Sequence, residues 1–393
     1  VKKEENISLF LNTSVYQVDK SDNDTISSVI GYCSQNETKY AFISKLFCDC
    51  SGDGIVGFLS GAAFRMGAES SDEFGEQFAP SSEYGELLGH SIYFYSKDTG
   101  SPVKYNPPSF AIDVSKEIPR YKSFNSKDFG CRLWWIEYGG RKDTVHDTEE
   151  IKWELWKIVY GVWNHIKNSG EFPEAENLTL EWVGTIPGKR ESRRFEGDYM
   201  IVQQDIVEQR KHKDAVAFGG WSIDLHPGDG VFSEKPGCNQ WHSKGIYQIP
   251  YRSLYSRNIS NLFFVGRIIS SSHVAFGSTR VMATSAFLGQ AVGNAAYLCL
   301  EKNCSPKELY TLNHIGELQS YLAKKGHFIP DVESTDNDNL INHATIETSS
   351  VLQLSSLSGN GEWNILDESI AQLLPIKSGK IPDLKLSILG LKD

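Results

Sequence analysis

The sequence lacks an excess of basic residues. Its 39 lysines and arginines are outnumbered by 50 aspartates and glutamates, so the formal net charge is −11. Proteins that bind nucleic acid need a basic surface to neutralise phosphates, and no basic stripe is visible here. The composition therefore disfavours a nucleic-acid partner, and the acidic balance by itself indicates ordinary solubility.

Long uninterrupted apolar runs are also missing. A membrane-spanning helix needs about 20 apolar residues in a row. The best candidate, residues 281–300, is interrupted by Thr284, Ser285, Gln290 and Asn294. We therefore predict no membrane span. No targeting segment is visible either. Because the sequence starts at Val1 and not at a methionine, this says little about the compartment, and both cytoplasm and periplasm remain alternatives.

The 7 cysteines lack the spacing of a metal site. Cys48 and Cys50 form the closest pair, and we interpret them as strand residues whose side chains point to opposite faces. That arrangement disfavours joint binding of a metal ion, so no metal site is predicted. Free cysteines are usually buried, and we expect these thiols to be buried as well.

The most informative stretch covers residues 261–300. A short apolar run at residues 262–265 predicts a buried parallel strand, which Gly266 and Arg267 end. After a polar loop, the sequence Gly277-Ser278-Thr279 predicts the start of a long helix with a face of small side chains. The N-terminus of a helix has unpaired N–H groups, so it suits an electron-rich ligand.

A second strand and helix flank the turn Ser51-Gly52-Asp53-Gly54. Glycines in such a turn let the backbone approach a ligand without a clashing Cβ atom. Upstream of it, alternating residues between 7 and 47 predict a small antiparallel meander.

Two further groups of charged residues are candidates for a site. A basic cluster consists of Lys189, Arg190, Arg193 and Arg194. These side chains either bind a carboxylate or phosphate, or pair with neighbouring acidic residues to hold a domain interface. The sequence leaves the two alternatives open.

Asp224 and His226 lie two residues apart on a predicted strand. A carboxylate beside an imidazole raises the pKa of the histidine and fixes its tautomer, which a general base could use.

These motifs together resemble a known family. The stretches FFVGRIISSSHVAFGSTRVMATSAFLGQAVGNAA, CSGDG, GKRESRRFEGDY and GGWSIDLH resemble the FAD-dependent oxidoreductase family. That family belongs to the glutathione-reductase structural class and includes bacterial proteins distantly similar to the fumarate-reductase flavoprotein. The resemblance implies FAD as cofactor, held by Gly52, Asp53, Gly266, Arg267, Ser278, Thr279, Arg280 and Val281.

The resemblance also implies a set of catalytic residues. His273 is expected to face the flavin and to accept or donate a proton. His226 and one of Arg190, Arg193 and Arg194, with Arg193 preferred, are expected to hold the substrate across the cleft. An alternative role for His273 is to cap its loop by a hydrogen bond to a backbone carbonyl.

The implied fold is α/β with a β-rich insertion. Residues 1–80 would be part of the FAD-binding domain with the meander, 81–255 a mixed α+β substrate or cap domain, and 256–330 the C-terminal part of the FAD-binding domain. Residues 340–393 would form a β-rich C-terminal module, shorter than that of the family and therefore interpreted as truncated.

One expected motif is absent from the sequence. A dinucleotide-binding domain opens with a Gly-x-Gly-x-x-Gly turn and has an acidic residue about 20 residues later. Gly52, Gly54 and Gly57 have the glycine spacing, but no acidic residue ends a second strand downstream. We infer that only the last strands of a Rossmann-like sheet are present, and that a missing N-terminal segment or a homo-oligomer completes the site. Without that half, we expect this chain alone to bind FAD weakly or not at all.

The sequence thus predicts an oxidoreductase that transfers a hydride between flavin and a small or carbohydrate-related substrate. The alternative is a non-catalytic remnant, or a carbohydrate-associated binding protein of the same fold, without a working FAD site.

Overall fold

The computed structural model describes residues 1, 3–81, 86–333 and 336–350. These residues form the predicted mixed α/β architecture of small sheets and helices. In chain order the strands are β1 (Thr13–Lys20), β2 (Ile26–Cys33), β3 (Thr38–Ile43), β4 (Phe47–Asp49), β5 (Phe64–Arg65), β6 (His90–Ser91), β7 (Phe94–Asp98), β8 (Glu137–Tyr138), β9 (Leu178–Val183), β10 (Arg194–Phe195), β11 (Ala215–Gly219), β12 (Ile223–Leu225), β13 (Asn239–Trp241), β14 (Tyr247–Pro250) and β15 (Leu262–Phe264). The α-helices are α1 (Ile55–Ser60), α2 (Ser71–Phe74), α3 (Val114–Glu117), α4 (Thr148–Asn168), α5 (Gln203–Val207), α6 (His273–Thr279), α7 (Met282–Lys302), α8 (Pro306–Thr311) and α9 (Ile315–Lys324).

The predicted meander is confirmed. Strands β1, β2 and β3 form one antiparallel sheet in that order. The middle strand is the most buried of the three, and its side chains at Ile26, Val29 and Ile30 enter the core.

The predicted buried parallel strand is confirmed as well. Strand β15 pairs in parallel with β4, with Leu262 opposite Phe47 and Phe264 opposite Asp49. All three residues of β15 are buried, as expected for a strand covered on both faces. The carboxyl ends of these two strands therefore lie side by side, and both carry predicted site residues.

The prediction that a long helix starts at Gly277 is wrong. Helix α6 begins earlier, because the Ser272 hydroxyl caps it by accepting a hydrogen bond from the Ala275 N–H at 3.1 Å. The chain then breaks at Arg280 and Val281, and α7 begins at Met282. Ser278 and Thr279 consequently lie in the last turn of a short helix, whereas Arg280 and Val281 precede the long one.

Helix α4 carries a stripe of apolar residues along one face. Ile151, Leu155, Val159 and Val162 are fully buried on one face. They form a second hydrophobic core, which β7 helps to enclose through Phe94. Residues 110–113 are a turn and loop ahead of α3.

The chain divides into two compact units, residues 1–338 and 339–393. Of the second unit, residues 339–350 are described and contain a short 3-10 helix at Leu340–His343. The predicted β-rich tail lies mostly outside the described residues, at 351–393. The domain boundaries near residues 80 and 255 stay predictions. Within the described part, no helix is long and apolar enough to cross a bilayer.

Candidate functional site

A tight turn follows β4, and the side chain of Asp49 builds it. One Asp49 carboxylate oxygen accepts hydrogen bonds from the Ser51 N–H at 2.9 Å and its hydroxyl at 2.7 Å. The other accepts from the Gly57 N–H at 2.9 Å. Gly52 and Gly54 have φ values of +82° and +70°, a conformation that side chains with a Cβ atom rarely adopt. The turn therefore depends on its glycines, as predicted.

Asp53, at the tip of that turn, lies between two cations. Its carboxylate contacts the Lys189 ammonium at 2.6 Å and the Arg267 guanidinium at 3.1 Å. The Arg193 guanidinium donates to the Asp53 carbonyl at 3.0 Å. Burial raises the pKa of Asp53, but the hydrogen bond and charge of Lys189 outweigh it, so the pKa lies below its ordinary value. We call these four residues the Asp53 cluster.

Gly266, at the end of β15, directly precedes Arg267 of the Asp53 cluster. Gly266 has a φ of +91°, and a Cβ atom there would meet no atom within 4 Å, so the backbone borders open space. The buried Nε of Arg267 has no hydrogen-bond partner among the described residues. An open backbone edge and an unsatisfied guanidinium N–H suit an electron-rich ligand such as FAD.

A second cluster surrounds His226, just beyond β12. The imidazole Nδ1 lies 2.7 Å from a Glu137 carboxylate oxygen, and Nε2 lies 3.3 Å from Asp224. Arg190 pairs with the same Glu137 oxygen. On the other side, Arg280 donates to Asp224 at 3.0 Å. We call these five residues the His226 cluster.

The His226 cluster is both buried and incompletely satisfied. Burial lowers the pKa of His226, but hydrogen bonds to Asp224 and Glu137 outweigh it and raise the pKa above its ordinary value. Burial also lowers the pKa of Arg280. Glu137 Oε1 and Arg280 Nε are buried and have no hydrogen-bond partner among the described residues. Buried polar atoms normally find partners, and these two could bind a polar ligand.

A third cluster joins the predicted catalytic His273 to Arg194. The His273 Nδ1 lies 2.9 Å from a Glu191 oxygen, and the fully buried Arg194 contacts Glu191 at 3.1 Å and Glu69 at 2.8 Å. Arg194 also donates to the Ser271 carbonyl at 2.6 Å. Burial raises the pKa of Glu191, but the neighbouring His273 and Arg194 outweigh it and hold the pKa below its ordinary value.

Arg194 pairs with acidic neighbours, as in the second alternative for the basic cluster. It has no exposed surface, and its contacts tie distant parts of the chain together. Removing one partner of such a buried ion pair leaves an uncompensated charge. The Nδ1 of His273 bonds a carboxylate instead of the backbone carbonyl that the alternative required.

The remaining predicted site residues are separated by the helix break. The Ser278 hydroxyl is occupied within the protein, since it donates to the Trp221 carbonyl at 2.6 Å and contacts the Tyr247 hydroxyl at 2.7 Å. Thr279 is fully buried. Arg280 joins the His226 cluster, and Val281 precedes α7.

Residues 189–194 link the three clusters. Lys189 and Arg193 contact Asp53, and Arg190 contacts Glu137. Glu191 contacts His273 from the same segment. One short stretch of chain therefore positions side chains in every cluster.

Sequence reasoning missed Glu137 and His90. Glu137 lies on β8 and His90 on the partner strand β6, where Ser91 is opposite Glu137. Burial, together with the nearby Lys189, lowers the pKa of His90 to about 4. Neither residue lies in a recognisable motif, and only their buried positions in this two-stranded sheet indicate a role.

The interpretation of the cysteines needs correction. Residues two apart on a strand share a face, and the Cys48 and Cys50 sulfur atoms lie 3.5 Å apart. Both are exposed, as is Cys131, so the prediction that the cysteines are buried is wrong for these three. Among the described residues, no group of three or more His, Cys, Asp or Glu side chains could hold a metal ion.

Comparison with known proteins gives one match. The sequence model of the family described as FAD dependent oxidoreductase matches residues 1–322, well over half of the chain. Neither the curated proteins nor the solved structures include a match to this chain.

Proposed function

This chain belongs to the FAD-dependent oxidoreductase family, and from that premise we propose that it transfers a hydride between flavin and a small polar substrate bound at the His226 cluster. FAD supplies the redox chemistry when bound, by accepting or donating two electrons. The residues of this chain orient the two reactants and handle the proton. The observation that carries the proposal is the buried, unsatisfied His226 cluster linked by residues 189–194 to the Asp53 cluster.

The Asp53 cluster is the cofactor side of this proposal. Gly266 leaves room for a ligand at the end of β15, and Arg267 has a free N–H to offer it. Gly52 lets the Arg267 guanidinium lie close to the turn, because a Cβ atom there would be 3.0 Å from it. We also propose that the fold belongs to the glutathione-reductase structural class.

The His226 cluster is the substrate side. Arg190 and Arg280 provide cationic donors for a carboxylate, hydroxyl or carbonyl oxygen of the substrate. The raised pKa of His226 keeps its imidazole protonated over a wider pH range. The Nε2–H, whose contact with Asp224 is long at 3.3 Å, carries the proton that the imidazolium gives to a substrate oxygen in one direction and recovers in the other.

A non-catalytic remnant is less well supported than this enzyme. Two carboxylates and a histidine are buried beside two partly buried arginines in the His226 cluster, and burying charged groups is costly. A remnant has no use for such a cluster.

Fluorescence titration of FAD into the full chain tests the cofactor side. We expect Arg267→Met to weaken FAD binding about 10- to 100-fold, the usual effect of losing a charged hydrogen bond. The control is Arg257→Met, which removes an exposed arginine paired with Glu196 and should leave the affinity unchanged. Absence of FAD binding to the wild-type chain, or equal effects of the two variants, would contradict the proposed cofactor side.

The substrate side is tested separately with His226→Gln. This variant should keep the wild-type affinity for FAD. Anaerobic reduction of the bound flavin by a panel of hydroxy acids and monosaccharides should become about 10²- to 10⁴-fold slower, as expected for loss of a general acid or base. Reduction at the wild-type rate by every active compound would exclude His226 from the reaction.

A further inference from the structure

The two thiols at the end of β4 lie outside the clusters described above. Cys48 and Cys50 are both exposed, and their sulfur atoms are 3.5 Å apart. A disulfide bond is about 2.0 Å long, so rotation of the side chains has to shorten this distance by about 1.5 Å. The two sulfurs are therefore nearly in bonding position.

The backbone between the thiols is held firmly. Cys48 lies opposite Phe263 in the parallel pair of strands, and Asp49, between the cysteines, is 1% exposed. Asp49 is anchored by hydrogen bonds from Ser51 and Gly57 on the opposite face. This anchoring keeps Cys48 and Cys50 beside each other on the outer face of the strand end.

The two thiols differ in position and in pKa. Cys50 lies one residue past the end of β4, and the hydrogen bond between the two thiols, which either sulfur can donate, lowers the pKa of Cys50 below its ordinary value. Thiolates, and not thiols, attack disulfides. We therefore assign the first attack to Cys50, which lies past the strand end, and the second attack to Cys48, which is paired within the strands.

We propose that Cys48 and Cys50 form a redox-active dithiol site that reacts with small disulfides. The Cys50 thiolate attacks one sulfur of the small disulfide, which forms a mixed disulfide and releases one small thiol. The Cys48 thiolate then attacks the Cys50 sulfur, forms the Cys48–Cys50 bond and releases the second small thiol. Two electrons and two protons pass from the cysteines to the small disulfide.

The test uses the full, reduced chain and glutathione disulfide as the probe. After incubation, the protein is denatured in the presence of iodoacetamide, which alkylates the remaining free thiols. Its peptides are then mapped by mass spectrometry. Of the 7 cysteines, Cys48 and Cys50 should lose alkylation together, in a peptide lighter by two hydrogens than its reduced form. In Cys48→Ser, Cys50 should instead accumulate the mixed disulfide with glutathione.

Cys131→Ser is the matched control, because Cys131 is also exposed. In this variant the Cys48–Cys50 disulfide should form as in the wild type. Full alkylation of both thiols in the wild-type chain, under conditions that modify Cys131 with glutathione, would overturn the proposal. The wild-type peptide map tests formation of the Cys48–Cys50 disulfide even if Cys48→Ser fails to fold.

Discussion

At the scale of single residues, His226 and His90 show how surroundings give one side chain type two opposite properties. His226 lies between the carboxylates of Glu137 and Asp224, whereas His90 is buried near the Lys189 ammonium. The pKa of His226 is raised, and that of His90 is lowered to about 4. The pKa of an unfolded histidine is about 6.5.

The two histidines should therefore contribute to stability with opposite pH dependence. Because the folded pKa of His226 is above the unfolded value, its contribution is complete below about pH 6.5 and is lost as pH rises through the folded pKa. We expect His226→Gln to lower the free energy of unfolding more at about pH 5.5 than at about pH 9. Urea unfolding at the two pH values measures the difference.

His90→Gln is the control with the reversed sign. The folded pKa of His90 is depressed. The contribution of His90 to the free energy of unfolding is therefore present above about pH 6.5 and is lost as pH falls toward about 4. Its destabilising effect should shrink at acid pH. If both variants change in the same direction with pH, the surroundings assigned to one of the histidines are wrong.

At the scale of elements, the turn after β4 meets β10 through one aromatic ring. Phe195 is fully buried and stacks on Phe264 of β15, with ring centroids 4.4 Å apart. A Cβ atom on Gly54 would lie 2.1 Å from this ring. The ring cannot move aside easily, because it packs against a strand of the parallel pair.

Gly54→Ala should therefore destabilise the protein for two reasons. The left-handed conformation costs about 1–2 kcal/mol with a Cβ atom, and overpacking against Phe195 costs about 1–3 kcal/mol more. Gly61→Ala separates the two effects, since Gly61 has a φ of +81° and open space around a Cβ atom. Urea unfolding of both variants gives the comparison. An equal loss of free energy of unfolding would mean that Phe195 does not crowd the turn.

At the scale of the whole molecule, the described residues contain two hydrophobic cores. The first is formed by β2, β11, β14, β15 and α7, and the second by α4 with residues around β7 and β9. Trp163 of α4 is 1% exposed and meets the ring of Phe94 edge-on at 5.4 Å between centroids. It is among the largest side chains in the second core.

Truncation of Trp163 should loosen the second core more than the first. Trp163→Ala should cost about 3–5 kcal/mol of unfolding free energy, as large-to-small changes in cores usually do. Hydrogen exchange followed by mass spectrometry should show faster exchange in β7 and β9 than in β14 and β15. Trp153→Ala, at an exposed position of the same helix, should change stability by about 0.5 kcal/mol or less. Uniformly faster exchange would show that the cores open together.

Local patterns were enough to predict several elements of this protein. The meander and the buried strand at 262–264 follow from the spacing of apolar residues, and that spacing is a property of neighbouring positions. The glycine turn at residues 52 and 54 was also predicted, because glycine alone adopts its backbone conformation easily. The family, and with it FAD, was identified from motifs of the same local kind.

Only the tertiary structure decided which charged residues meet. Arg190 and Arg194 are four positions apart, yet one enters the His226 cluster and the other a buried ion-pair network. Glu137 joins His226 from 89 residues away and belongs to no motif. The start of α6 was missed because the Ser272 cap competes with the glycine and serine signals later in the sequence. Contacts between distant side chains depend on how the elements pack, and no local spacing contains that information.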